Sequence, residues 1–254
     1  VAVVIPMFNE EAGATACVIA VCRILDGMPI RSGLIVVNDG SGDGTAEALA
    51  RLLPAEPRLE VVTHPVNRGY GGALRSGVEA AARGQFEYVL FMDSDLTNDP
   101  RDIPRFATVM GSDVDVIKAT RFREGGGMLG VPLARRVMSR LGNAVARALF
   151  RTGISDCTNG FRAIRTSLAQ RLQLRESRFP VILEELYCCV FAARRFAEVP
   201  VVLTSRGAAL RRTSFVYRPA VLWQYLKYAL LAGLRVPPRG RLGTTSGSGA
   251  SGAH

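Results

Sequence analysis

Met92-Asp-Ser-Asp-Leu96 closes an apolar run with two carboxylates one residue apart. In extended chain alternate side chains share a face, so Asp93 and Asp95 can converge on one divalent cation. A hard, oxygen-ligated Mg²⁺ or Mn²⁺ takes one or two carboxylates and completes its shell with water and phosphate oxygens. The chemistry that goes with such an ion is neutralisation of a departing diphosphate. Asp and Ser also populate ordinary turns, so the motif taken alone reads as a polar loop as well.

Three further loops have similar character. Ile5-Pro-Met-Phe-Asn-Glu10 offers Pro6, Phe8, Asn9 and Glu10, acidic and amide groups suited to holding a nucleoside. Val36-Val-Asn-Asp-Gly-Ser-Gly-Asp-Gly44 presents Asp39, which can accept hydrogen bonds from a base or ribose. In Asn67-Arg-Gly-Tyr-Gly-Gly72 the glycines, beginning at Gly69, allow close backbone approach, and Arg68 supplies positive charge.

The elements that must position these loops alternate. Strands are expected over Val1–Ile5 (ended by Pro6), Gly33–Val37, Leu59–Thr63, Tyr88–Met92 and Val114–Ala119. Helices are expected over Glu10–Leu25, from a cap at Asp43 or Thr45 through Leu53, and over Gly71–Arg83. Strands apolar on both faces and separated by helices indicate an α/β fold, with a mostly parallel central sheet flanked by helices. Ligands of such sheets sit beyond the carboxyl ends of the strands, which singles out loops 6–10, 38–44, 64–71 and 93–100.

Behind this half the character changes. Residues 130–153 read as a helix with Arg136, Arg140, Arg147 and Arg151 in one arc and Val137, Leu141, Val145, Ala148 and Leu149 in the opposite one. That pattern suits a membrane-surface helix and equally a helix that packs its apolar stripe inward and solvates its arginines. Glu198–Leu203 reads as a strand. Val221–Leu234, with Trp223, Tyr225, Lys227 and Tyr228, reads as an interfacial or buried helix. The Gly/Ser-rich stretch 239–254 is expected to be disordered.

The 254 residues are 48% hydrophobic and 21% charged, which excludes a disordered or fibrous chain. Residues 1–120 carry 10 basic and 16 acidic side chains, net −6, and residues 121–254 carry 22 and 6, net +16. The basic half suits phosphates or an anionic membrane. Nucleic acid is not an expected partner: it would leave the acidic front loops unexplained, and no aromatic residues interleave with the bases. Gly69-Tyr-Gly-Gly-Ala-Leu74 lacks the third glycine of a dinucleotide loop and follows the wrong strand. A nucleotidyltransferase is disfavoured because no Gly-rich start with an activating Lys is found. Five cysteines without zinc spacing and two isolated histidines, His64 and His254, argue against a disulfide framework or a His/Cys metal site and for a reducing compartment. The chain opens on a strand at Val1, which suggests numbering from inside a longer natural chain, without a signal peptide. No run of about 18 apolar residues is present, so a cytoplasmic protein without a transmembrane helix, peripheral on the membrane face, is expected.

Taken in order, VVIPMFNE, VVNDGSGDGT, NRGYGGALRSG and FMDSD closely resemble the nucleotide-sugar half of inverting family-2 glycosyltransferases, over about residues 1–205. The resemblance implies a GT-A fold with a Rossmann-like nucleotide-binding half. It implies one domain over 1–238, in which 1–120 bind a nucleoside diphosphate sugar and 121–238 the acceptor. It places Pro6, Phe8, Asn9, Glu10, Asp39, Arg68, Gly69 and Ser94 at the donor, and Asp93 and Asp95 at the diphosphate and a Mg²⁺ or Mn²⁺ ion.

Lys118-Ala-Thr-Arg121, Ser155-Asp-Cys-Thr-Asn-Gly-Phe-Arg162, Glu184-Glu185 and Glu198-Val-Pro200 look like the polyprenyl-phosphate (dolichyl-phosphate) mannose or glucose synthases. By that likeness Asp156 lies beside the reacting sugar and Arg121 near the acceptor phosphate or the donor diphosphate; Arg136, Arg206 and Arg212 are further expected at the acceptor phosphate. Two positions depart from the pattern: Thr97 stands where a Gln is common, and a later basic motif reads Arg206-Gly-Ala-Ala-Leu-Arg-Arg-Thr-Ser214. The expected partners are GDP-mannose or UDP-glucose, a polyprenyl phosphate and an anionic membrane surface. A phosphate acceptor is already anionic and needs no general base. A soluble or glycan hydroxyl acceptor, the alternative, would want one of Asp156, Glu184 and Glu185, with Asp156 preferred.

Overall fold

The computed structural model describes residues 1–204 and 219–240. In chain order the elements are β1 (Ala2–Met7), α1 (Glu11–Asp26), β2 (Gly33–Asn38), α2 (Thr45–Leu52), β3 (Leu59–Thr63), α3 (Gly69–Arg83), β4 (Tyr88–Phe91), a 3₁₀ turn (Pro100–Asp102), α4 (Ile103–Ala107), β5 (Val116–Thr120) and β6 (Gly127–Leu129). There follow α5 (Leu133–Phe150), β7 (Arg162–Arg165), α6 (Thr166–Arg171), α7 (Val181–Ala192), β8 (Phe196–Pro200), β9 (Val202–Thr204) and α8 (Pro219–Gly233).

A seven-stranded sheet runs in the order β3-β2-β1-β4-β7-β5-β8, with β7 antiparallel to both its neighbours and the other pairings parallel. A small parallel pair, β6-β9, stands apart from it. The period of two along β1 divides the core: Val3, Ile5 and Met7 pack with α1 and α4, while Ala2 and Val4 face α3 and α7 on the other side. The central sheet crosses the boundary between the acidic and basic halves, because β4 pairs with β7.

Two boundaries differ from expectation for identifiable reasons. Pro6 does not end β1, because the ladder to β4 involves only Ala2–Val4, so the missing N–H of Pro6 falls where that edge no longer needs a donor. The single strand expected over Glu198–Leu203 is two strands. Val201 sits at the break, donating its N–H to Thr120 O and accepting from Gly127 N, and the chain there leaves the main sheet for β6.

Helix α5 matches the expected helix, shortened at both ends, but its orientation is the finding. It touches the body along Asn143, Ala146 and Phe150, all buried. Its apolar residues Val137, Leu141 and Val145 point outward, 46%, 59% and 51% exposed. Of the expected apolar stripe, Ala148 is exposed as well, and only Leu149, half-buried, packs against the core among the described residues. Helix α8 buries Tyr228, Ala229 and Ala232 and leaves Trp223 62% exposed. It sits close enough to α5 that a Cβ at Gly233 would lie 2.9 Å from Leu149 Cδ2. Among the described residues no helix is long and apolar enough to cross a membrane. The tail from residue 241 onward lies outside the described residues.

Candidate active site

The loops after β1, β2 and β3 are knitted into one rim. Asn9, at φ 55°, donates its backbone N–H to Ser41 Oγ (3.0 Å) and accepts from Gly42 N at its side-chain oxygen (2.8 Å). Glu10 N donates to Thr45 Oγ1 at 2.9 Å, and Asn38 Oδ1 accepts from Ser41 N. Gly40 takes φ +69°, and a Cβ there would fall 2.5 Å from the backbone of Val66 and Asn67, so only glycine fits. Pro6 and Glu10 are half-buried on this rim, Phe8 is 44% exposed and Arg68 is exposed.

Asp39 is buried and firmly aimed. Its Oδ1 accepts from His64 Nδ1 (2.7 Å) and from Arg68 N (2.8 Å), while His64 Nε2 meets Ser76 Oγ at 2.9 Å. A carboxylate only accepts, so the proton between them sits on Nδ1. His64, isolated in the sequence, is thus the group that orients Asp39, and nothing in the local sequence marks it. The glycines after β3 also serve a purpose different from ligand approach. Gly71 N donates to Ser177 O, and Cβ atoms at Gly69 and Gly71 would lie 2.3 and 2.0 Å from the carbonyls of Ser177 and Glu176. What they admit is the chain between α6 and α7.

That close approach sets Tyr70 against Phe179, ring centroids 4.9 Å apart, with Tyr70 Oη donating to Asp93 Oδ1 at 3.3 Å. Burial, and then the Asp93 charge, push the Tyr70 phenol above its ordinary range, so it remains a donor. Asp93, Ser94 and Asp95 are half-buried just beyond β4. Thr97, standing where a Gln was expected, bonds Asp95 Oδ1 through both its N–H (3.0 Å) and its Oγ1 (2.8 Å). Gly160 lies close by: a Cβ there would stand 3.4 Å from Asp93 Oδ2, in ordinary contact. Two half-buried carboxylates beyond a strand end suit a Mg²⁺ or Mn²⁺ ion whose other ligands come from substrate and water. Among the described residues no set of three His, Cys, Asp or Glu side chains forms a closed metal cage.

Beneath Asp93 lies a buried charge layer. Arg162, fully buried on β7, bonds Glu185 with Nε and with Nη2 (2.8 Å to Oε2), donates to Gly160 O at 2.7 Å and stacks over Phe91 at 4.5 Å. Burial alone would lower the Arg162 pKa, but Glu185 outweighs it and holds the guanidinium charged. Lys118 Nζ, also buried, donates to Asn159 O at 2.7 Å, and burial followed by Arg162 pulls its pKa down to about 8.

Arg121 and Asp156 meet as a fork: Nε to Oδ2 at 2.6 Å and Nη2 to Oδ1 at 2.8 Å, with Asp156 inaccessible and Arg121 11% exposed. Asp156 also accepts from the N–H groups of Arg121 and Asn159. Glu198 secures the preceding turn, accepting from Ser155 N (2.6 Å) and Oγ (2.8 Å) and pairing with Arg123. The two other carboxylates considered as bases are equally engaged: Glu184 Oε2 accepts from Arg175 N and Glu176 N, and Glu185 holds Arg162. Arg136, expected at the acceptor phosphate, stands in the first turn of α5 with Nε bonded to Val131 O at 2.8 Å. Arg206 and Arg212 lie outside the described residues.

The sequence profile of Glycosyl transferase family 2 matches residues 2–173. A polyprenol monophosphomannose synthase of Mycolicibacterium smegmatis is 26% identical over 216 residues, covering 84% of this chain and 80% of the relative. An undecaprenyl-phosphate mannosyltransferase of Micrococcus luteus is 25% identical over 206 residues, covering 80% and 83%. Among solved structures, glucosyl-3-phosphoglycerate synthase from Mycobacterium tuberculosis, crystallised with Mn²⁺, uridine-diphosphate-glucose and phosphoglyceric acid, superposes with a TM-score of 0.64 at 22% identity, covering 94% of this chain and 81% of its own. The same enzyme has also been crystallised with Mg²⁺ and uridine diphosphate. These likenesses agree with the mostly parallel, helix-flanked sheet, and the chain belongs to glycosyl transferase family 2.

Proposed function

We propose that the protein transfers a hexose, with inversion, from GDP-mannose or UDP-glucose to a polyprenyl phosphate at an anionic membrane surface. The observation that carries the reading is the state of the acceptor-side carboxylates. Asp156, Glu184 and Glu185 are all buried and committed to arginine or backbone donors, an arrangement suited to an acceptor that arrives already ionised. The names of the two relatives, a polyprenol monophosphomannose synthase and an undecaprenyl-phosphate mannosyltransferase, point the same way.

On this reading Phe8, Pro6 and Glu10 line the nucleoside site with Asp39, which His64 and the Arg68 N–H hold in one orientation. Asp93 and Asp95 would hold a Mg²⁺ or Mn²⁺ ion, which when bound neutralises charge on the departing diphosphate. Tyr70 fixes one Asp93 oxygen and Thr97 one Asp95 oxygen, so both carboxylates are preorganised. Arg121, with Nε and Nη2 taken by Asp156 and Thr158, turns its remaining edge to a phosphate. Asp156 thereby acts as the residue that orients Arg121, and alignment of nucleophile and leaving group supplies the rate.

The membrane assignment rests on α5. Its outward face carries Leu133, Val137, Met138, Leu141 and Val145, its 18 residues include four arginines, and it has no acidic residue. An amphipathic helix of this kind lies in the headgroup plane of an anionic bilayer. Each arginine near such a surface contributes about 1 kcal/mol. On α8, which packs beside α5, Trp223 is exposed as well.

The test is a panel of nucleotide sugars offered with a short-chain polyprenyl phosphate and Mg²⁺ or Mn²⁺, with the lipid product identified, beside flotation with anionic vesicles. Sugar-linked prenyl phosphate and flotation are expected. Asp95→Ala is expected to abolish transfer while its melting curve stays cooperative. Transfer only to soluble hydroxyl acceptors, without flotation, would overturn the reading.

A further inference from the structure

Helix α5 is tied to the catalytic rim through one polar side chain. Asn143 is 3% exposed at the centre of its narrow contact stripe, where a helix interior ordinarily disfavours Asn. Three of its four hydrogen bonds go to the loop carrying Asp156, and the fourth stays within α5. Its Oδ1 accepts from Cys157 N (2.8 Å) and Thr158 N (3.3 Å), and its Nδ2 donates to Thr158 Oγ1 (2.9 Å) and to Ser139 O (3.0 Å). Thr158 Oγ1 in turn accepts from Arg121 Nη2 at 3.1 Å, the same nitrogen that bonds Asp156 at 2.8 Å. The chain of contacts runs from α5 to the Arg121 guanidinium through two side chains, Asn143 and Thr158. The other buried residues of the stripe, Ala146 and Phe150, are apolar and carry no such directional link.

We infer that Asn143 is a positioning residue: it couples the seating of α5 on a lipid surface to the placement of Arg121, so that turnover rises when the helix is docked. The inference rests on the functional reading above and adds to it a surface-dependent rate. Buried polar groups hold strict geometry because an unsatisfied one is costly, so a shift of α5 cannot leave the 157–158 backbone in place. An apolar residue at 143 would slide where Asn pulls.

The experiment compares kcat for farnesyl phosphate dispersed in detergent with kcat for a polyprenyl phosphate in vesicles of phosphatidylglycerol and phosphatidylcholine. The panel is wild type, Asn143→Ala, Thr158→Val and Thr158→Ser. Wild type should be faster on vesicles by about fivefold or more, the low end of ordinary coupling. Asn143→Ala should still float with vesicles and still turn over the dispersed acceptor, but with the vesicle advantage gone; Thr158→Val, which also strips Arg121 Nη2 of an acceptor, should float, turn over both acceptors more slowly and lose the advantage too. Thr158→Ser, which keeps the Oγ, should retain it. Melting curves of all four report folding, and Thr158→Val, which keeps the shape, stands in if Asn143→Ala does not fold. Equal kcat of the wild type on the two acceptors, or an equal loss on both by Asn143→Ala and Thr158→Val, overturns the coupling alone. No transfer by wild type to either acceptor overturns the functional reading and the coupling with it.

Discussion

Replacing Glu185 by Gln keeps the volume and removes the charge that offsets Arg162. The guanidinium is 1% exposed and the carboxylate 5%, so neither can turn to water. Gln can still accept one of the two N–H groups, but its amide then sets a donor against the other, Nε or Nη2. One charge-assisted bond is lost, about 1.5–3 kcal/mol, and the remaining positive charge is left buried beside an amide. Breaking such a pair from one side costs about 3–5 kcal/mol in total. For a chain of this size each kcal/mol lowers Tm by about 2–4 °C, so Glu185→Gln should melt about 6–20 °C below wild type. Calorimetry at neutral pH measures this. A double variant, Arg162→Met with Glu185→Leu, removes both charges and should recover more than half the loss. It should nonetheless transfer sugar poorly, because Arg162 also holds the Gly160 carbonyl beside Asp93. A Glu185→Gln protein melting within about 2 °C of wild type would show that the pair is not an energetic keystone, and the reasoning would fail.

Other perturbations give separate readings. Burial alone would raise the Asp115 carboxyl pKa, but hydrogen bonds from Arg194 and Arg165 outweigh it and hold it at about 2. A depressed carboxylate pKa stabilises the fold above its unfolded value and stops doing so as pH falls through the folded one. The advantage of wild type over Asp115→Asn should therefore shrink by about 2 kcal/mol between pH 4 and pH 2, read by urea unfolding. Gly71→Ala would thrust a methyl into the Glu176 carbonyl. It should cost about 1–3 kcal/mol and weaken transfer by shifting Tyr70 from Asp93, and an Ala variant of unchanged stability and rate would contradict the packing. His64→Gln should weaken nucleotide-sugar binding by about 10–100-fold in Kd, the worth of a hydrogen bond to a charged group, with kcat little changed. Titration calorimetry checks it, and an unaltered Kd would mean that Asp39 needs no such support.

The front of the chain was legible because parallel sheets present their loops at one edge in sequence order. Loops 6–10, 38–44, 64–71 and 93–100 were placed by strand pattern alone, and Asp93 and Asp95 stand at the end of β4 as read. What escaped was the support behind them. Strand β7 is four residues with an arginine at each end, too short and too charged for a periodic signal. Arg162 is buried only because Glu185 arrives from 23 residues away, a pairing without a local signature. His64 and Ser76 meet Asp39 by the same kind of long-range convergence.

Periodicity did find α5, and here its limit is instructive. A 3.6-residue repeat gives two opposed faces but does not say which one the body takes. Ordinary burial would turn Val137, Leu141 and Val145 inward, yet the body takes a stripe containing Asn143. Asn143 answers the polar loop at 155–159, while Ala146, Phe150 and the half-buried Leu149 pack into the core beside it. A helix seated by a stripe that mixes hydrogen bonds with apolar contacts leaves Val137, Leu141 and Val145 exposed. The same hydrogen bonds make the seat sensitive to whatever those three residues meet, because directional contacts do not tolerate sliding. Membrane affinity and control of Arg121 are on this view one consequence of a single inverted helix.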